Sequence, residues 1–82
     1  MYKNKAEDGR NNISGERIQA LRKELPGKVS QRMLADLLQI EGLDVDKNAI
    51  QRIENGQRFV TDIELKAIAR VLRVSCDELL GE

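Results

Sequence analysis

From Ile18 to Leu80 the apolar residues of this chain return every three or four positions, and runs with period two are missing. That spacing leaves short amphipathic helices as the regular structure open to it, because strands need alternation and β-branched or aromatic runs. Stops and caps divide the pattern into five. Ile18, Leu21 and Leu25 share one face of a first helix over about 13–25, which Asn12 or Ser14 can cap and Pro26-Gly27 ends. Ser30 caps a second, with Leu34, Ala35, Leu37, Leu38 and Ile40 as its apolar positions and Gly42 as its stop. Asp46 caps a short third helix that ends at Asn55-Gly56. Thr61-Asp62-Ile63-Glu64 and Ser75-Cys76-Asp77-Glu78 are capping boxes that open a fourth and a fifth. Residues 1–12 are polar and aperiodic and read as a mobile tail, so the ordered domain is expected over 13–82.

An all-α chain of 82 residues is a single domain with a small core, too small for a deep catalytic pocket. Its composition narrows the chemistry further. There is no histidine, which removes the commonest general base and metal ligand, and no acid–base pair assembles from what remains. An enzyme is not expected, nor a cofactor, a metal or a small-molecule ligand. The one cysteine, Cys76, forms no intrachain disulfide and points to a reducing, cytoplasmic setting. It reads as a small apolar residue packed under Leu79 and Leu80. No apolar run is long enough for a membrane span. Tyr2 and Phe59 are the only aromatics, which argues against base-stacking platforms for single strands. Fourteen basic and fourteen acidic residues cancel, so any affinity for nucleic acid must come from a local patch.

The third helix carries such a patch. At about 100° per residue, Ala49, Ile50 and Ile53 fall on one side and face the core. The other side gathers Lys47, Asn48, Gln51, Arg52 and Asn55, with no acid among them. Lys and Arg match the acceptors of guanine, and Asn and Gln match the edge of adenine. A polar face on a short surface helix has a plainer reading, simple solvation.

Three segments take the matter beyond one helix. Ser30-Gln31-Arg32-Met33-Leu34-Ala35-Asp36-Leu37-Leu38, Ile50-Gln51-Arg52-Ile53-Glu54-Asn55-Gly56 and Leu65-Lys66-Ala67-Ile68-Ala69-Arg70-Val71-Leu72-Arg73-Val74-Ser75 together resemble the Cro/phage-repressor (xenobiotic-response-element) type of helix-turn-helix. Arg17-Ile18-Gln19-Ala20-Leu21-Arg22 ahead of them does so too. The resemblance spans about 13–80. It implies a five-helix, lambda-repressor-like domain that binds double-stranded DNA as a transcriptional regulator, most simply a repressor. A single module of this size buries too little surface for tight selective binding, so a homodimer on a two-fold operator is expected. By the same resemblance Lys47, Asn48, Gln51 and Arg52 meet bases in the major groove. Gln31, Arg32, Asn55 and Arg58 lie along phosphates. It also pairs Arg22 with Glu54.

The chain departs from the family between the second and third helices. Such turns are about three or four residues, whereas Gln39-Ile40-Glu41-Gly42-Leu43-Asp44 intervene before Val45, with Gln39 in place of the usual turn glycine. The second helix is expected to run on to Ile40 or Glu41, and Leu43 to fold back over Met33, Leu37 and Ile40. If those three stay exposed instead, they form a dimer or partner surface.

Asp44-x-Asp46-x-Asn48 with Glu54 imitates a calcium loop. It fails at Ala49, where the sharp turn needs glycine, and its glutamate comes one position early. A second class of function stays open: a protein-interaction module, such as an antitoxin or adaptor that keeps the fold. Zero net charge favours it, as do Asp44 and Asp46 near the third helix. The donor-rich face and the cations Lys28, Arg32 and Arg58 oppose it.

Overall fold

The computed structural model describes residues 9–81, and among them every regular element is helical. The elements are α1 (Gly15–Glu24), α2 (Gln31–Ile40), α3 (Lys47–Glu54), α4 (Asp62–Leu72) and α5 (Cys76–Leu80). Each of the last four starts at a side-chain cap. Ser30, Asp46, Thr61 and Ser75 accept from the amides of Met33, Ala49, Glu64 and Glu78. Thr61 and Glu64 complete a reciprocal capping box. At α5 only the serine half is present among the described residues.

Three helices end in the same hydrogen-bond pattern. After α2 the amide of Leu43 donates to the Leu38 carbonyl (3.0 Å) and that of Gly42 to Gln39 (3.0 Å), with Gly42 at φ 90°. Gly56 plays this part after α3 at φ 77°, and Arg73 after α4 at φ 60°. These are Schellman endings, which satisfy the last carbonyls of a helix and turn the chain back on itself.

Every helix contributes to one core. Ile18 of α1, Leu34 and Leu38 of α2, Ile50 and Ile53 of α3, Ile68 of α4 and Leu79 of α5 are each no more than 1% exposed. Full burial of such a side chain favours folding by about 1.5–3 kcal/mol. α2 packs on α3 and α4, while α1 touches α3, α4 and α5. The α2–α3 pair is thereby braced from both sides.

Two expectations change. The tail does not reach to residue 12. Asn12 is buried, its Oδ1 accepts from the Gly15 amide (2.7 Å), and its Nδ2 donates to the carbonyls of Ile53 (3.0 Å) and Arg58 (2.8 Å). The backbone N–H of Asn11 donates to the Gly56 carbonyl (2.8 Å). Polar side chains fasten this segment, so apolar periodicity does not mark it. Residues 1–8 of the expected tail lie outside the described residues. Leu43, for its part, folds back against the core but does not cover the α2 stripe: Met33, Leu37 and Ile40 remain in solvent. The Schellman bond draws Leu43 toward Leu38, on the buried side of α2.

Candidate nucleic-acid interface

α3 is divided lengthwise. Ile50 and Ile53 hold one side in the core, and Lys47, Asn48, Gln51 and Arg52 are all exposed on the other, followed by exposed Asn55. The predicted reading side chains therefore stand together on one accessible arc. Asp46 begins that arc with its Oδ1 held by the Ala49 amide (2.8 Å).

The end of α3 is fixed by a buried charge. The Glu54 side chain is fully buried and takes two bonds from Arg22, Nε to Oε2 at 2.7 Å and Nη2 to Oε1 at 3.0 Å. Arg22 Nη1 donates to the Val29 carbonyl (2.9 Å), and Gln31 Nε2 donates to Glu54 Oε1 (2.9 Å). Arg10 Nη2 reaches the backbone carbonyl of Glu54 (2.7 Å). One carboxylate thus joins α1, the α1–α2 connection, α2 and α3. A buried ion stays charged without large cost only when its partners are this complete.

α2 and the start of α3 enclose a cleft of about 340 Å³ lined by Arg32, Asp36, Gln39, Asp46, Lys47 and Asn48. Arg32 is exposed there beside two of the α3 donors. The lengthened turn runs from α2 to the cap of α3. Gln39 Nε2 donates to the Val45 carbonyl (2.8 Å) and Val45 is buried, so the longer connection is pinned at both ends of its path.

Comparison with known families gives a match to the helix-turn-helix model over residues 18–79. The chain belongs to that family, of the Cro/phage-repressor type. Comparison with curated proteins and with solved structures gave no match. The helix-turn-helix family is one of DNA-binding domains, so α2 and α3 of this helix-turn-helix domain are its two named helices. No helix among the described residues is long and apolar enough to cross a membrane.

Within the helix-turn-helix frame the expected phosphate partners are not equivalent. Arg32 and Asn55 are exposed, and neither side chain is engaged in a hydrogen bond among the described residues. Gln31 is half-buried and already gives one N–H to Glu54, which leaves its second for a phosphate. Arg58 donates from Nη2 to Glu64 Oε2 (2.8 Å), so a phosphate competes with the α4 capping box for it. The calcium-loop imitation is accounted for as well. Asp46 Oδ1 caps α3, and Glu54, the glutamate of that imitation, is taken up by Arg22 and Gln31.

Sequence reasoning paired Arg22 with Glu54 and offered Asn12 as a cap, which its bond from the Gly15 amide bears out, but it missed Gln31, Gln39 and the long-range bonds of Asn12 as members of the frame. Asn12, three residues before Gly15, carries the local spacing of a cap. Its reach to Ile53 and Arg58 joins positions more than 40 apart, which no periodicity encodes.

Proposed function

We propose that this domain is a sequence-specific transcriptional regulator, acting as a repressor in the cytoplasm, that lays α3 in the major groove as a homodimer. Lys47, Asn48, Gln51 and Arg52 read base edges. Arg32 and Asn55, with Gln31 and Arg58, follow the phosphates. The observation that carries this reading is the arc of α3: four donor-bearing side chains exposed on one side, with no acid between them, on a helix whose other side is locked into the core. A solvated face needs no such composition.

The test is selection of bound sites from a random DNA library, followed by variants on the selected site. Arg52→Ala and Asn48→Ala are expected to cost about 1–3 kcal/mol each and to relax preference at one or two base pairs. Arg32→Ala is expected to weaken binding to all sequences alike, because a phosphate bond carries no sequence information. Gln31→Ala is a poorer control, since it also strips a donor from buried Glu54. If Arg52→Ala and Asn48→Ala bind as tightly as the parent, α3 is not the reading helix and the interaction-module reading takes its place.

A further inference from the structure

Met33, Leu37 and Ile40 form a stripe along α2 that is 45%, 40% and 80% exposed. Leu37 and Ile40 of this stripe, with the α1–α2 connection and the C-terminal end of α4, line a groove of about 570 Å³ whose other apolar residues are Leu25, Pro26, Val29, Val71 and Leu72. The charges on its rim are separated by sign. Glu41 stands on the α2 side and Arg70 and Arg73 on the α4 side, with no ion pair to one another among the described residues.

We propose that this groove seats a second copy of the chain, in a two-fold contact in which Ile40 of each copy enters the groove of the other. Projection and recess lie on the same patch, which is what a closed, isologous dimer requires. The rim completes the match: rotation about a two-fold axis sets Glu41 of one copy against Arg70 and Arg73 of the other. A uniformly acidic partner meets repulsion at Glu41, and a uniformly basic one at the two arginines. A second copy carries both signs in reversed order. The contact also leaves the reading arc open. Arg32, Asp36 and Gln39, which line the cleft next to α3, are turned about 100° around α2 from the apolar stripe. The homodimer proposed above gains a surface in this way, but the test is made without DNA, so the two readings fail separately.

Sedimentation equilibrium of the full chain, from low micromolar to near-millimolar concentration, measures the contact directly. The parent is expected to approach twice its monomer mass. Ile40→Asp is expected to remain monomeric with its circular dichroism unchanged, since Ile40 is four-fifths exposed. Glu41→Arg is expected to raise the dissociation constant by about tenfold, because two-fold symmetry makes each substitution count twice. Adding Arg73→Glu to it is expected to restore the parent value. A parent that stays monomeric throughout, a dimer that survives Ile40→Asp, or a charge pair that shows no rescue overturns the proposal. A monomeric parent that still selects a DNA site overturns the interface alone.

Discussion

Glu54 and Gly15 show how much of this fold rests on single side chains, and in opposite ways. Glu54 is needed for what it has. Its carboxylate answers a guanidinium only 9% exposed, so Glu54→Ala strands Arg22 and removes the acceptor of Gln31. Loss of one partner of a buried pair costs about 3–5 kcal/mol. Glu24→Ala, at an exposed position of α1, is expected to be close to neutral. Thermal melts of the two variants under one buffer check the contrast, and equal midpoints would remove Glu54 from its central place. Gly15 is needed for what it lacks. A Cβ there runs into the Ile53 carbonyl and the Asn12 side chain, because α1 begins against the end of α3. Gly15→Ala is therefore expected to destabilise by about 1–3 kcal/mol, although alanine is otherwise the better helix former. Urea denaturation reads this directly, and a stabilised variant would show that α1 can shift away.

Among the elements, α3 joins two demands at its first residue. Asp46 caps the helix, yet puts a negative charge beside Lys47 and Asn48 on the cleft. Asparagine caps about as well as aspartate. Asp46→Asn is thus expected to leave the melting midpoint nearly unchanged and to tighten DNA binding several-fold at low salt. Asp46→Ala instead loses the cap, at about 1 kcal/mol. Paired melts and gel shifts separate the two effects, and an Asp46→Asn variant with unchanged affinity would place this carboxylate away from phosphate. The element scale is also where the sequence is most legible. Caps at Ser30, Asp46, Thr61 and Ser75 and stops at Gly42 and Gly56 act within four residues, so they can be read locally. At the start of α1 only the cap was legible in this way. The capping carbonyl of Asn12 sits three residues ahead of Gly15, and the remaining bonds of Asn12 reach α3 and the α3–α4 loop. For the same reason the exposed arc of α3 was readable from spacing, whereas the tie from Gln31 to Glu54 needed the packed arrangement of α2 on α3.

For the whole molecule the governing fact is that charge is local. Fourteen cations and fourteen anions leave no net field to draw in DNA, so phosphate attraction must come from a few exposed cations near α3. With Arg32 and Arg58 neutralising phosphates in each copy of a dimer, affinity is expected to fall about a hundredfold between about 50 and 200 mM salt. A salt titration of the selected site measures this. A flat response would set the phosphate contacts aside and favour an interaction module.

The lengthwise division of α3 has a consequence for how such a domain changes over time. Lys47, Asn48, Gln51 and Arg52 contribute nothing to the core, and Ile50, Ile53 and Glu54 contribute nothing to the exposed arc. Substitutions at the four outward positions therefore do not pass through a destabilised ancestor, as replacements in a core usually must. If the proposed reading holds, duplicated copies of this domain can reach new targets one outward residue at a time, with the scaffold that presents those residues left unchanged.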